Sequence, residues 1–225
     1  MSEKILKNWI IQAVHQNREK GSSTVCALYL DKMNKRMFSS YIGDTCYLIA
    51  RPIEVGNFEL IFKSEEQSHG FNIPFQVGTE GDNPSFAITD QHIVEKDDFV
   101  IVASDGLWDN IEVSEIIRYL NEFSKKSRSI LIDTSGFVKY LSEIAENLSQ
   151  DKNHFSPFCK KAMEHNKSGK KYFGGKPDDI TIIAAQVIFG NHIDDDRETT
   201  CSKSVDTTVD GELETTGTNS SNWQF

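Results

Sequence analysis

Apolar residues near the start of the chain recur at offsets of three and four positions, which is the spacing of one face of an α-helix. They predict an amphipathic helix over residues 3–17, on the positions Ile5, Leu6, Trp9, Ile10, Ala13 and Val14. Gly21 follows, and glycine is a common residue after the end of a helix. Apolar runs then predict strands at residues 24–30, 36–42 and 45–50. The turn signals between them favour a meander of antiparallel hairpins.

The rest of the chain contains groups of strands and groups of helices. Further strands are predicted at residues 58–62, 86–93, 99–103 and 180–189, and helices at residues 113–123, 136–148 and 155–164. The polar, glycine-dotted stretch 63–83 is predicted to be a long ordered loop, a kind of segment that is usually functional or disordered. Because strands and helices are grouped instead of alternating one by one, we predict an α+β fold.

Composition divides the chain into two parts. Residues 191–225 carry eight acidic and two basic side chains among many Ser and Thr residues. Such a segment buries too little apolar surface to offset the entropy of ordering, so we predict one folded domain over residues 1–190 and a disordered acidic tail over residues 191–225. With a net charge of −10 and no basic cluster, the chain is not expected to bind nucleic acid. No apolar run has the length of a membrane helix. We also expect the protein to be a monomer.

The four cysteines are Cys26, Cys46, Cys159 and Cys201, and none of them forms a Cys-x-x-Cys pair. This spacing favours neither a zinc site nor a disulfide framework. Free thiols in a reducing compartment are the favoured interpretation. The first ten residues lack the pattern of a secretory signal or of an arginine-rich transit peptide.

One apolar strand runs almost directly into two carboxylates. The predicted strand at residues 99–103 is followed by Asp105, then by Gly106, which permits a sharp turn, and Asp109 lies one helical turn further on. Carboxylates held rigidly in this way suit hard divalent cations. Asp-Gly after a strand is also a common turn signal, so for this motif alone a metal site and an ordinary turn both stay open.

Two other aspartate sites have the same relation to strands. Asp178 and Asp179 precede the apolar run 180–189, and Asp44 lies at the break between two predicted strands. For each of them, solvated carboxylates in an Asx-type or hairpin turn are the alternative.

Together the three acidic sites favour a metal centre made of oxygen ligands. Such a set, with little His or Cys nearby, selects Mg²⁺ or Mn²⁺ over zinc. Two such ions held close together can activate a bridging water and clamp a phosphoryl group. The sequence has no cysteine in a phosphate-cradling loop and no Walker-type glycine-lysine run. The predicted chemistry is therefore hydrolysis of a phosphate ester by metal-bound water.

The order of these motifs resembles that of the metal-dependent, type-2C (PPM) serine/threonine protein phosphatases. The series is Gly21-Ser22-Ser23-Thr24, Gly43-Asp44, Ser104-Asp105-Gly106-Leu107-Trp108-Asp109-Asn110 and Pro177-Asp178-Asp179-Ile180-Thr181. Two more stretches resemble the organellar branch of that family, which is related to a mitochondrial matrix enzyme: Glu66-Gln67-Ser68-His69-Gly70-Phe71-Asn72-Ile73-Pro74-Phe75-Gln76, and Ser156-Pro157-Phe158 leading to Gly174-Gly175-Lys176. The resemblance covers about residues 5–187.

The resemblance implies a fold and a set of metal ligands. The fold is two antiparallel β-sheets packed as a sandwich, with flanking helices outside. Asp105 and Asp178 would be ligands of the second metal, and Asp44 and Asp109 match positions linked to a third, weaker metal. Asp179 stands where most relatives have asparagine, so it would lie beside the ligands or have another role.

The resemblance also implies cofactors, a substrate and a location. The cofactors are Mg²⁺ or Mn²⁺, with two or more ions in the complete site, and the substrate is a protein that carries phosphoserine or phosphothreonine. The location is the matrix of a mitochondrion or another organelle, with the cytoplasm as the alternative. No residue is assigned a catalytic role apart from metal binding. His69 matches a position of the organellar branch, and an ordinary loop histidine is the equal alternative.

One family motif is not found in the 225 residues. Relatives carry, upstream of the strand after Gly21, an Asp-Gly-x-Gly-Gly run whose aspartate bridges both metals. We therefore expect a phosphatase domain that is incomplete at its N-terminus and a chain with little metal-dependent activity by itself. A catalytically inactive relative that acts as a binding or scaffolding module is the alternative to an enzyme. An unrelated α+β protein with turn aspartates is a third interpretation.

Overall fold

The computed structural model describes residues 3–165 and 172–189. In chain order the strands are β1 (Ser22–Ser23), β2 (Val25–Asp31), β3 (Arg36–Ile42), β4 (Cys46–Glu54), β5 (Asn57–Lys63), β6 (Ser68–Gly70), β7 (Ile73–Pro74), β8 (Val77–Gly78), β9 (Ile88–Ile93), β10 (Phe99–Ala103) and β11 (Ile182–Gln186). The helices are α1 (Glu3–Gln16), α2 (Asp105–Trp108), α3 (Val113–Ser127), α4 (Thr134–Gln150) and α5 (Pro157–His165). None of these helices is long and apolar enough to cross a membrane. The predicted acidic tail, residues 191–225 with Cys201, lies outside the described residues.

Two larger antiparallel sheets form the centre of the fold. One has the strand order β11-β10-β4-β5 and the other the order β2-β3-β9. Apolar side chains from both sheets meet in one buried cluster, which includes Met37 and Tyr41 of β3, Tyr47 of β4 and Val100 of β10. The predicted α+β sandwich of two antiparallel sheets is therefore confirmed.

Helices cover the outer face of each sheet, which explains why some strands carry no polar alternation. Phe99 and Ile101 of β10 share a buried cluster with Leu120 of α3 and Phe137 of α4, whereas Val100 lies between the sheets. Successive side chains of a strand point to opposite faces, so a strand that is buried on both faces needs an unbroken apolar run. On the other outer face, helix α1 packs against the three-stranded sheet.

The predicted meander over residues 24–50 is wrong at its third strand. Strand β2 pairs with β3, but β4 pairs with β5 and β10 in the other sheet. The chain changes sheets at Gly43, which has a φ of +100° and whose position leaves no room for a Cβ beside Thr24 and the carbonyl of Phe75. Only glycine tolerates this combination. The sequence marks the break, but a break does not say which strand the next segment will join.

Three other predicted segments also differ in detail. The predicted loop 63–83 contains the short strands β6, β7 and β8, of which β6 pairs with β7 and β8 with β1. The predicted strand 86–93 starts later, because Pro84–Phe86 forms a 3-10 helix capped by Asn83, whose side chain accepts a hydrogen bond from the Ser85 N–H. The apolar run 180–189 contains β11 only at Ile182–Gln186.

Candidate metal centre

The turn after strand β10 holds Asp105 and Asp109 on one side of a single helical turn. The Asp109 N–H donates to the carbonyl of Asp105 at 2.7 Å. Trp108 anchors the turn in the core, since its indole N–H donates to the carbonyl of Ala103 at 2.7 Å and its ring is buried. The carboxylates are thus attached to a rigid strand, as the sequence predicted, and also to a buried aromatic residue, which it did not predict.

The loop that precedes β11 packs directly against this turn. Ser104 Oγ donates to the carbonyl of Asp179 at 3.0 Å and accepts from the N–H of Thr181 at 3.0 Å. Gly106 lies so close to the Asp179 carbonyl that a Cβ on residue 106 would overlap it. Glycine is therefore required at this position for close approach, and the contact brings together two motifs that are far apart in the sequence.

Three predicted ligands converge on one ammonium group. Lys176 Nζ lies 2.6 Å from Oδ2 of Asp105, 2.8 Å from Oδ2 of Asp109 and 3.0 Å from Oδ2 of Asp178. Burial by itself would lower the pKa of Lys176, but its hydrogen bonds to Asp105 and Asp109 raise that pKa above its ordinary value. A cation is thus held at the point where these carboxylates meet.

Asp44 belongs to the same electrostatic group. Burial, followed by the negative charge of Asp105, raises the pKa of Asp44 from 3.8 to about 6, and the charge of Asp109 acts in the same direction. Burial also raises the pKa of Asp105, although the nearby Lys176 ammonium opposes the shift. Crowded carboxylates that are partly removed from water resist ionisation, because their negative charges repel one another. A bound divalent cation would reduce this repulsion.

Neither Asp179 nor His69 pairs with Lys176 in the described part of the chain. Asp179 is exposed and contributes its backbone carbonyl to the contact with Ser104. Among the described residues its carboxylate has no hydrogen bond or ion pair. The His69 Nε2 lies 2.8 Å from Oδ1 of Asp82, and the His69 ring lies 4.0 Å from that of Phe75. His69 is therefore a partnered histidine of strand β6, and it also lines the cavity beside the carboxylates.

A cavity of about 310 Å³ lies beside the carboxylates. The hairpin of β6 and β7 and helix α5 form its walls, and its lining includes Asp44, Asp109, Phe71, Ile73, Phe158 and Lys161. Lys161 Nζ pairs with Glu66 at 2.7 Å and lies 3.5 Å from Oδ1 of Asp109. The rings of Phe71 and Phe158 are 5.0 Å apart and join the two walls.

The chemistry of the donor set suits a hard divalent cation. The convergent groups are carboxylate oxygens, which Mg²⁺ and Mn²⁺ prefer, and they already surround a positive charge. Within residues 3–165 and 172–189, no three carboxylate, imidazole or thiolate groups are spaced to chelate one ion. A metal at this point would have to replace the ammonium.

Sequence reasoning missed three residues that organise the site. Lys176 and Asn110 stand inside the recognised motifs, yet the pattern assigned them no role, and Lys161 was predicted only as part of a helix. The available signal was a single basic residue between two glycines and two aspartates in the stretch Gly174–Asp179. A lysine in such a loop is usually solvated, so its sequence context alone does not predict a buried ion cluster.

Comparisons with known proteins agree with the fold and with the motif series. Residues 83–154 match the family described as protein phosphatase 2C. The chain is 34% identical over 176 residues to a Drosophila mojavensis protein named "Protein phosphatase PTC7 homolog fig", and the alignment covers 74% of this chain and 54% of that protein. The chain spans about half the length of the curated relatives it matches.

Two solved structures extend the comparison. The photosystem II phosphatase PBCP superposes with a TM-score of 0.70 at 28% identity, covering 82% of this chain and 71% of that one. The catalytic domain of the serine/threonine protein phosphatase PstP, solved with two manganese ions, superposes with a TM-score of 0.50 at 16% identity, covering 81% and 66%. The second comparison shows a shared fold only.

Proposed function

Because this chain belongs to the protein phosphatase 2C family, we propose that it hydrolyses phosphoserine and phosphothreonine on proteins with the help of bound Mg²⁺ or Mn²⁺ ions. The observation that carries the proposal is the convergence of Asp105, Asp109 and Asp178 on one cation position. These residues come from two distant motifs, and the contacts of Gly106 and Ser104 hold the motifs together.

Each carboxylate has a proposed role. Asp105 and Asp178 would hold one ion, and Asp44 and Asp109, which face the cavity, would contribute to a weaker site. Asp179 would support the loop through its backbone carbonyl. When bound, the ions supply an activated water and an electrostatic clamp for the phosphoryl group. The chain itself contributes the fixed positions of the oxygens and a partly buried setting that strengthens their hold on a cation.

The cavity between the β6–β7 hairpin and α5 is the proposed binding surface for the phosphoprotein. It adjoins Asp44 and Asp109, and its walls offer apolar contacts through Phe71 and Ile73 together with the cationic Lys161. Protein substrates bind through such mixed surfaces, in which aromatic and aliphatic side chains supply most of the contact area.

The test is phosphate release from phosphoserine and phosphothreonine peptides in Mn²⁺ or Mg²⁺. It compares the 225-residue chain with a form extended upstream by the Asp-Gly-x-Gly-Gly segment of a relative. We expect release by the extended form, none in EDTA, and loss of release in its Asp105→Ala variant, whereas the chain alone should release little. An extended form that is folded and binds Mn²⁺ but releases no phosphate would contradict the enzyme.

A binding module without catalysis is the alternative to the enzyme. The two functions differ in one measurement. A binding module retains phosphopeptides without turnover, and its affinity should survive removal of metal by EDTA.

The setting of the protein is also a proposal. We propose that residues 1–190 act as one domain, that the chain is a monomer, and that it acts in an organelle matrix, as the resemblance of the stretch Glu66–Gln76 to the organellar branch suggests. Sedimentation of the purified chain and imaging of a tagged full-length protein test the last two statements. A dimer in sedimentation, or an exclusively cytoplasmic signal, would contradict them.

A further inference from the structure

Among the basic residues that the structure describes, Lys176 stands out because its ammonium pairs with three carboxylates at once. Asp105, Asp109 and Asp178 all lie within 3.0 Å of its Nζ. By contrast, Lys160 pairs with Glu112 alone, and both of those side chains are about two-fifths exposed. The Lys176 side chain is only 15% exposed, so its ion pairs are much less screened by water than a surface pair.

The position of Lys176 is held by the same turn that carries two of its partners. The Asn110 side chain accepts from the Lys176 N–H at 2.8 Å and donates to the Lys176 carbonyl at 2.8 Å. Asn110 is fully buried and belongs to the turn of Asp105 and Asp109. The ammonium also lies over the Phe158 ring, 5.2 Å from its centroid. These backbone and ring contacts direct the lysine into the carboxylates.

We propose that Lys176 is a built-in counter-cation that competes with divalent metal ions for Asp105, Asp109 and Asp178. The inference rests on the metal centre of the proposed function. A metal ion bound to these oxygens would come within a few ångströms of the ammonium, where two like charges in a partly buried site repel strongly. The ion and the ammonium therefore exclude each other, and metal binding requires the four-carbon lysine side chain to withdraw. Lys176 thus weakens the affinity of the site for metal. When no metal is bound, its ammonium lies between the three carboxylates and stabilises them.

The experiment measures Mn²⁺ binding to the 225-residue chain by isothermal titration calorimetry. Three variants are compared with the unaltered chain. Lys176→Gln removes the charge, Lys176→Arg keeps it, and Lys160→Gln removes a lysine that pairs outside the cluster. We expect Lys176→Gln to bind Mn²⁺ at least about tenfold more tightly than the unaltered chain. Lys176→Arg and Lys160→Gln should show no gain in affinity.

Thermal unfolding gives a second readout that does not depend on activity. In EDTA, Lys176→Gln should unfold at a lower temperature than the unaltered chain, because three carboxylates lose their counter-charge. Mn²⁺ should then raise the unfolding temperature of Lys176→Gln more than that of the unaltered chain. If Lys176→Gln is unfolded in EDTA, recovery of its circular dichroism spectrum on addition of Mn²⁺ supports the proposal, and failure to recover overturns it.

The other outcomes are equally decisive. Equal Mn²⁺ affinity in the unaltered chain and Lys176→Gln, weaker affinity in Lys176→Gln, or no binding by either would overturn the competition. Mn²⁺ binding by Lys176→Gln that survives an added Asp105→Ala change would overturn it as well, because the ion would then lie elsewhere. An extended form that gains affinity through Lys176→Gln but releases no phosphate contradicts only the proposed enzyme and supports the competition.

Discussion

The Asn110 side chain forms two hydrogen bonds with the backbone of Lys176, accepting from its N–H at 2.8 Å and donating to its carbonyl at 2.8 Å. The two residues are 66 positions apart in the sequence, and Asn110 is fully buried. A side-chain amide that pairs with both the N–H and the carbonyl of one residue makes the two hydrogen bonds that a neighbouring β-strand would otherwise make. This pair fixes the distance between the Asp105–Asp109 turn and the loop of Asp178.

Asn110→Ala should destabilise the chain and loosen the candidate centre. The change leaves the partly buried N–H and carbonyl of Lys176 without their Asn110 partner, at a cost of about 2–3 kcal/mol. Urea unfolding followed by circular dichroism measures the loss. Asn147→Ala is the matched control, since Asn147 is exposed on helix α4 and its side chain donates to the Glu143 carbonyl at 2.8 Å. Equal losses in both variants would show that the Asn110–Lys176 pair has no special role.

Gly106→Ala should separate the two motifs of the site. A Cβ at residue 106 would overlap the carbonyl of Asp179, so the loop must move away from the turn, at a cost of about 1–3 kcal/mol. We expect lower stability together with weaker Mn²⁺ binding. Gly70→Ala is the control, because a Cβ there meets no atom within 4 Å. Unchanged Mn²⁺ binding in a folded Gly106→Ala protein would contradict the proposed site.

Asp44→Asn should stabilise the chain at neutral pH in EDTA. The pKa of Asp44 is raised to about 6 in the folded protein, so the folded state favours the protonated carboxyl, and this contribution to stability is lost as the pH rises from about 4 through 6. Asparagine removes the cost of ionisation, about 1 kcal/mol after allowance for solvent screening of a half-exposed group. The gain in unfolding temperature should be clear at pH 7.5 and absent near pH 4. A gain that is equal at both pH values would mean that ionisation of Asp44 is not its cause.

Asp98→Ala should be among the most destabilising changes outside the site. Asp98 is fully buried and pairs through both oxygens with Arg51, Oδ1 with Nε and Oδ2 with Nη2, each at 2.8 Å. Removing the carboxylate leaves a guanidinium partly buried without its main partner, at a cost of about 3–5 kcal/mol. Glu115→Ala is the comparison, because Glu115 pairs with Arg118 in water and its loss should cost less than about 0.5 kcal/mol. Chemical denaturation distinguishes the two.

Ile73→Glu tests the proposed substrate surface in the extended form. Ile73 lines the cavity beside the carboxylates and is 58% exposed, so the change should not disturb the core. A negative charge there should repel a phosphopeptide and raise its KM about three- to tenfold, with little change in kcat. Met33→Glu, on an 85% exposed side chain in the turn between β2 and β3, is the control. If both changes raise KM equally, the cavity is not the binding surface.

Local pattern was sufficient for most elements and for the acidic motifs. The apolar run of β10 and the three- and four-residue spacing of apolar positions in α1 show which nearby side chains are buried together. That spacing can be read directly from the order of adjacent residues. The same holds for Asp105, which is marked by the apolar strand before it and the glycine after it. The metal-binding role of these aspartates stays a prediction.

The tertiary structure decided how these pieces are combined. After Gly43 the chain could join the sheet of β3 or the opposite sheet, and the packing of the entire sandwich decides between them. Residues 43–46 do not by themselves indicate which sheet is chosen. The meeting of Lys176 with Asp105, 71 positions away, is of the same kind. In the sequence Lys176 is one polar residue of a loop. Its role comes from the two backbone hydrogen bonds to Asn110 and from the three carboxylates around it, because an electrostatic interaction depends on distance in space and on exclusion of water, neither of which the order of residues specifies.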